Sequence, residues 1–247
     1  MARSARVTPD AHGGFQLAVV LPVHNEEASI ERVLREWWME VERQTPSFRF
    51  LVVDDGSTDR TPAVLANLQS ELGNQLLCEC SDNRGHGQAC LAGYRWAAEL
   101  GARHVLQIDS DGQCDPCYFA RLWALRGVAP VVYGRRVRRD DGFGRLLAST
   151  LLRHLVRMVT GARCTDPNVP YRLMQMSVTS PFVRRVPTDF DLANVALAVL
   201  LARAGVPEQS VPIRFGKRYG GQPSVRLVAL AAKAAKLVGQ LRKLDRA

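Results

Sequence analysis

The sequence predicts an α/β protein with a Rossmann-like, mostly parallel sheet and helices on both faces, and three observations carry that prediction. Short apolar runs alternate with amphipathic stretches through the first half of the chain, which is the pattern of repeated strand–helix units. Two of those runs, Phe48–Val53 and His104–Ile108, empty directly into aspartates. The 247 residues, 47% apolar and 23% charged, supply one large core and fit no disordered or fibrous composition.

Gln16–Leu21 reads as a short buried strand, and Glu26–Val41 as a helix with acids in its first turn, where the helix dipole favours them. Phe48–Val53 is the second strand, followed by the polar loop Asp54–Asp59 and a helix over Ala63–Leu72 with Pro62 at its first position. Gly73-Asn74 stops that helix, Gln75–Cys80 gives a third strand, and Gly87–Leu100 a helix closed by Gly101. His104–Ile108 is the fourth strand. Beyond it Pro116–Leu125 reads as helical, Pro130–Tyr133 as extended and Arg135–Arg145 as an arginine-rich loop. Helices over Leu146–Thr160 and Leu192–Ala204 and a late strand over Gln209–Phe215 complete the domain.

The tail from Val225 places Leu227, Leu230, Ala234, Leu237, Leu241 and Leu244 at spacings of three and four, one apolar seam on a helix roughly 30 Å long at ~1.5 Å per residue. Lys236, Lys243 and Arg246 lie opposite. Such a helix packs on its own domain, lies on a membrane surface or pairs with a second copy. Residues 1–15 are expected as an extension, 16–224 as the main domain and 225–247 as this basic helix.

The net charge of +9 is unevenly divided. Residues 1–100 hold 9 basic and 14 acidic residues, and residues 101–247 hold 24 and 10, so a net of −5 precedes a net of +14. The basic part asks for an anionic partner: nucleic acid, a lipid surface or a phosphorylated substrate. No run reaches the ~20 apolar residues of a membrane-spanning helix, and Leu17–Val23 contains Pro22 and reads as a strand, not a secretory signal. The expected location is the cytosol or the cytosolic membrane face. Six cysteines form no secreted-type framework, and Cys114–Cys117 has no second ligand pair at zinc-site spacing, so reduced structural thiols are expected.

The acids at the strand ends carry the chemistry. In open α/β sheets ligands bind outside the carboxyl ends of the strands, so Asp54/Asp55 and Asp109/Asp111 can share one crevice. Asp109-Ser110-Asp111 offers two hard oxygen donors on a turn, suited to Mg²⁺ or Mn²⁺ bridged to phosphate oxygens. Taken singly, Asp-Gly turns are common and Asp59 suits a helix cap; the repetition of strand then acid in one array is the informative feature.

Pro22-Val23-His24-Asn25-Glu26, Val53-Asp54-Asp55-Gly56-Ser57-Thr58-Asp59, Asn83-Arg84-Gly85-His86-Gly87-Gln88-Ala89 and Gln107-Ile108-Asp109-Ser110-Asp111-Gly112-Gln113 follow one another in this order. They resemble family 2 glycosyltransferases of the GT-A fold, over about residues 16–224. Tyr133-Gly134-Arg135, Asp166–Arg172 and Arg218–Ser224 make the chain most similar to the dolichol-phosphate mannosyltransferase branch, which glycosylates polyprenyl phosphates. Arg136, Val169-Pro170 and Val225 depart from the branch pattern. The resemblance implies a nucleotide-sugar site of Pro22, Asn25, Glu26, Asp54, Asp55, Asp82, Asp109 and Gln113, a metal held by Asp109, Asp111 and Gln113, and catalysis involving Asp109, Asp111, Asp166 and Arg218. It also implies an inverting transfer of a hexose from a nucleotide diphosphate sugar.

A sugar-hydroxyl acceptor needs a general base, yet after Asp111 acids are scarce and Glu208 is the only glutamate past Glu99. A phosphate monoester acceptor, with its second pKa near ~6, is already an oxyanion at neutral pH and needs cations instead. Arg135, Arg172 and Arg218, with Ser224, are the acceptor-phosphate candidates, since arginine suits bidentate phosphate binding; Arg136, Arg138, Arg139, Arg214 and Lys217 stand in reserve. Asp166 either orients one of these arginines or is the base for a hydroxyl acceptor. His24 and His86 sit in motif loops and are candidates to touch the nucleotide, whereas His12, His104 and His154 read as structural or exposed. The expected partners are the donor, a polyprenyl phosphate and an anionic membrane surface, with no nucleic acid. The rival readings are a family 2 transferase acting on a saccharide or protein hydroxyl, and a non-catalytic basic binding module.

Overall fold

The computed structural model describes residues 14–139, 143–216, 218–219 and 230–244. The strands are β1 (Leu17–Val23), β2 (Phe48–Asp54), β3 (Leu76–Cys80), β4 (His104–Gln107), β5 (Val131–Arg139), β6 (Arg172–Gln175) and β7 (Glu208–Phe215). The helices are α1 (Ile30–Gln44), α2 (Thr61–Leu72), α3 (His86–Glu99), α4 (Phe119–Ala124), α5 (Phe143–Thr160), α6 (Met176–Arg185), α7 (Ala193–Arg203) and α8 (Leu230–Leu244). The strands form one sheet in the order β3-β2-β1-β4-β6-β5-β7.

All pairings are parallel except those of β6, which runs antiparallel to both β4 and β5. Every residue of β1 is buried, as expected for a central strand covered on both faces. α1, α2 and α4 pack together on one side, and α3, α6 and α7 on the other. Gly93 brings α3 onto β1 so closely that a Cβ there would collide with Val20.

The chain lays β2 and β3 on one side of β1 and then returns to place β4 on the other. A reversal of this kind opens a crevice at the strand carboxyl ends, between the loop after β1 and the loop after β4. Trp37 on α1 braces the second loop. It is buried, its indole N–H donates to the Cys114 carbonyl at 3.2 Å, and it meets Phe119 and Tyr171 edge-on.

Three readings need correction. The segment from Arg135 is not a loop: its backbone continues β5 to Arg139, paired with Pro212–Phe215 of β7, with a register shift between Arg136 and Arg138. The expected helix start at Glu26 lies at Ile30, because Glu26–Ser29 forms a turn whose Glu26 carbonyl accepts from both Ser29 and Ile30. β6 and α6 were not anticipated, the first being only four residues long and the second carrying Pro181 in its interior.

The C-terminal seam is satisfied within the domain across its described half. Leu237, Leu241 and Leu244 are buried, α8 packs on α5 and α7, and Gln240 donates to the Asp189 carbonyl at 2.7 Å. Lys236 pairs with Asp191 at 2.8 Å. This favours the domain-packed reading over docking or self-association through residues 237–244. The start of that helix at Val225, residues 1–13, Lys217 and Ser224 lie outside the described residues. All six cysteines are free thiols.

Candidate active site

A cleft of about 420 Å³ opens at the carboxyl ends of β1 and β4. Pro22, Asn25 and Glu26 enter it from the loop after β1, Asp55 from the end of β2, Gly85 and His86 from the start of α3, Asp109 and Asp111 from the loop after β4, and Arg218 from the segment after β7. Of the residues assigned from sequence, Pro22, Asn25, Glu26, Asp55, Asp109, Asp111 and Arg218 are therefore brought together.

The loops are tied to each other by side chains. Asn25, in the left-handed region at φ 55°, accepts from the Thr58 N–H at 2.8 Å through its side-chain carbonyl and donates its own backbone N–H to the Ser57 hydroxyl at 2.9 Å. The Glu26 N–H donates to Thr61 Oγ1 at 2.9 Å. Both oxygens of Asp55 accept backbone N–H groups, from Arg84 and Gly85, at 2.8 Å. Asp55 thus clamps the loop before α3 and leaves its remaining lone pairs toward the cleft. Ser29 donates to Glu26 Oε2 at 2.6 Å, and Ser110 donates to the Pro22 carbonyl at 3.0 Å, joining the loops after β1 and β4.

Asp109 is backed by a buried relay. The Tyr94 hydroxyl donates to Asn194 Oδ1 at 2.7 Å, Asn194 Nδ2 donates to Gln107 Oε1 at 3.1 Å, and Gln107 Nε2 donates to Asp109 Oδ1 at 3.2 Å. A chain of satisfied buried bonds fixes the carboxylate it ends on. His86 Nε2 lies 3.5 Å from the same oxygen. Burial raises the Asp109 pKa, and Asp111 adds to the rise while His86 and the arginines oppose it. Burial likewise raises Glu26, against the bond from Ser29 and the charge of Arg218. A cation placed beside these carboxylates would favour their charged forms.

In this structure the cation beside Asp111 is Arg218. Its Nε donates to Asp111 Oδ2 at 2.8 Å, while Asp111 Oδ1 accepts from the Gln113 N–H at 3.0 Å. Tyr219 is fixed beside Arg218 at the cleft by its N–H bond to the Asp111 carbonyl and by its Oη donating to Glu36 at 2.9 Å. Arg32 stacks over the Tyr219 ring at 3.9 Å. Gly112, at φ 79°, gives that ring its place, since a Cβ there would collide with it.

Several assigned residues lie elsewhere. Asp54 does not line the cleft: its Oδ1 accepts the N–H and hydroxyl of Ser57, and its Oδ2 is buried without a hydrogen-bond partner. Asp82 is exposed outside it. Gln113 does not line the cleft, and its side-chain amide N–H donates to the Gly216 carbonyl at 2.9 Å. Arg172 is fully buried and is spent on the carbonyls of Pro167, Val169 and Asn194, so it cannot meet an acceptor phosphate. Arg135 is exposed on β5 and lines no part of the cleft. Asp166 also lies outside the cleft, where both its oxygens accept from Arg136, at 2.6 and 2.7 Å. This is the orienting arrangement, with a reserve arginine as the partner.

Sequence reasoning missed Tyr94, Asn194, Ser29 and Tyr219, whose contacts join residues far apart in the chain. Among the described residues no group of three His, Cys, Asp or Glu side chains is disposed to hold a metal alone. An ion here would rest on Asp109 and Asp111 and complete its shell from water and phosphate oxygens, which is the habit of Mg²⁺ and related hard cations.

Comparison with known proteins agrees with this architecture. Glucosyl-3-phosphoglycerate synthase of Mycobacterium tuberculosis, solved with phosphoglyceric acid, superposes with a TM-score of 0.64 at 20% identity, covering 94% of this chain and 80% of that one. The undecaprenyl-phosphate 4-deoxy-4-formamido-L-arabinose transferase of Enterobacter sp. strain 638 is 30% identical over 154 residues, 61% of this chain and 46% of that protein. The same-named protein of Edwardsiella ictaluri is 28% identical over 217 residues, 87% of this chain and 64% of that protein. The chain spans about half to two thirds of the length of the curated relatives it matches. The family model described as Glycosyl transferase family 2 matches residues 18–183, about two thirds of the sequence, and the chain belongs to that family.

Proposed function

We propose that the protein is an inverting transferase that moves a hexose from a nucleotide diphosphate sugar to a polyprenyl phosphate, working as a peripheral protein on the cytosolic membrane face. The observation that carries this reading is the cleft itself, in which the loops after β1 and β2 meet the Asp109/Asp111 pair beneath Arg218. The names of the curated relatives support the polyprenyl phosphate acceptor. The mycobacterial synthase was also solved with Mn²⁺ and uridine diphosphate, which supports a metal–diphosphate site in this fold.

Asn25, Glu26 and Asp55 would bind the nucleoside, and Asp109 and Asp111 would hold Mg²⁺ or Mn²⁺ against the diphosphate. A bound divalent ion supplies neutralisation of the charge on the departing diphosphate. The acceptor phosphate oxyanion forms its bond to the anomeric carbon as the bond to the diphosphate oxygen breaks, on the opposite face. No proton has to be removed from such an acceptor, which agrees with Asp166 being engaged by Arg136. Arg218, which lines the cleft beside Asp111, would offer its guanidinium to a phosphate bound there.

No helix among the described residues is long and apolar enough to cross a membrane. The test is incubation with a panel of radiolabelled nucleotide sugars, Mg²⁺ or Mn²⁺, and undecaprenyl phosphate. Label that becomes extractable into organic solvent with one donor supports the reading. A water-soluble glycoside as the sole product, with no lipid label from any donor, overturns the acceptor.

A further inference from the structure

The turn between α6 and α7 is held on two sides. From one side α8 grips its backbone. Gln240 Nε2 donates to the Asp189 carbonyl at 2.7 Å, the Asp191 N–H reaches Gln240 Oε1 at a longer 3.5 Å, and Lys236 pairs with the Asp191 carboxylate at 2.8 Å. From the other side the first turn of α3 leans on the same residues. Gln88 Nε2 donates to the Phe190 carbonyl at 2.7 Å, and Gly87 lies so close that a Cβ there would collide with the Asp191 carbonyl. Gln240, Gly87 and Phe190 are all buried.

Both neighbours of this turn serve the cleft. Gly85 and His86, just ahead of Gly87, line it, and His86 stands 3.5 Å from Asp109. Asn194, which follows the turn, carries the buried relay that ends on Asp109. A side-chain amide that bonds a peptide carbonyl and a peptide N–H two residues apart fixes a backbone that has no ladder of its own. The Lys236 and Asp191 side chains are 60% and 47% exposed, and an ion pair so open to water contributes little. Buried Gln240 is therefore the stronger tie, yet it lines no part of the cleft.

We infer that Gln240 is a positioning residue for the donor site. By holding 189–191 against the first turn of α3 it sets the place of His86 and of the Asn194 relay, and through them that of Asp109; a site loosens when the groups that support it do. The inference rests on the reading of the cleft as a site for a metal-bound nucleoside diphosphate, and its test includes one readout that does not. Three variants of the full chain are compared. Gln240→Met removes both polar atoms from a side chain of similar length, Lys236→Met removes the exposed pair, and Leu237→Ala cuts into the buried seam of α8 at a residue that makes neither bond. Uridine and guanosine diphosphates are titrated with Mn²⁺ by calorimetry, unfolding is followed by circular dichroism, and amide exchange over 85–90 by mass spectrometry.

Gln240→Met should weaken the bound nucleotide about 5- to 10-fold, within the range for substitutions that act between separated sites, and quicken exchange over 85–90. Lys236→Met should stay within about twofold of wild type. Leu237→Ala should lower the unfolding midpoint more than Gln240→Met does, yet keep wild-type affinity well below that midpoint. Unchanged affinity in Gln240→Met overturns the inference, and so does a loss that Leu237→Ala shares in full, which marks general loosening of α8. If neither nucleotide binds the wild type, the reading of the cleft fails by itself; faster exchange over 85–90 in Gln240→Met then upholds the tie from α8 to α3, and unchanged exchange overturns it.

Discussion

Removing the Asp166 carboxylate should unfold the protein more readily before it says anything about chemistry. The Asp166 and Arg136 side chains are only 15% and 10% exposed and share two bonds, at 2.6 and 2.7 Å. Hydrogen bonds to charged groups contribute about 1.5–3 kcal/mol each, and stranding one partner of a buried pair costs about 3–5 kcal/mol. Water can reach part of this pair, so Asp166→Ala should cost about 3 kcal/mol, the low end of that range. For a domain of this size that lowers the unfolding midpoint by about 6–12 °C. Thermal unfolding and transfer activity are measured together on Asp166→Ala and on Arg136→Met/Asp166→Leu. If the pair is structural, the double variant recovers most of the stability and more turnover than the single variant. A single variant of near wild-type stability with no turnover would refute the reasoning and return Asp166 to the role of base.

Asp109→Asn should stabilise the metal-free protein at neutral pH. A carboxyl whose pKa is raised by folding binds its proton more tightly in the native state, so its ionisation above the unfolded value near ~3.9 costs stability. The advantage of the variant should grow as pH rises through the elevated native pKa and vanish in acid, read as a midpoint shift of about 2–4 °C per kcal/mol. Asn194→Leu breaks the relay and leaves the Tyr94 hydroxyl and Gln107 Oε1 only their direct 3.2 Å bond to each other; a loss of about 1 kcal/mol in urea unfolding is expected, together with weaker metal-dependent turnover, and an unchanged variant would count against the relay. Gly112→Ala imposes both a φ of 79° on a side chain and a clash with the Tyr219 ring. It should displace Tyr219 and Arg218 and lower kcat far more than it changes thermal stability.

The donor side of the cleft was legible because its residues follow strands. An apolar run ending in acids announces both the strand and the place where its loop opens, and Pro22–Glu26, Asp55 and Asp109/Asp111 meet on that basis. The acceptor side was less legible because its side chains answer to distant backbone. Arg172 looked like a phosphate ligand from its motif, but the carbonyls it binds include that of Asn194, which only the fold brings near. Arg135–Arg139 looked like a solvated loop, and what makes it a strand is the ladder to β7 some eighty residues later. The Tyr94–Asn194–Gln107 relay spans separations of 100 and 87 residues, with no local pattern to mark it.

The cleft draws on both halves of the unevenly charged chain. The acidic half supplies Glu26 and Asp55 to the cleft, and the basic half supplies Asp109, Asp111 and Arg218.

The central claim is that Asp109 and Asp111 bind a nucleoside diphosphate through a divalent ion. Titration calorimetry of uridine and guanosine diphosphates into the protein, with Mn²⁺ and then with excess chelator, tests it most directly. The account predicts tight binding of one nucleotide that needs the metal and is lost in Asp109→Asn and Asp111→Asn. Binding of equal strength with chelator present, or undiminished in both variants, would contradict it.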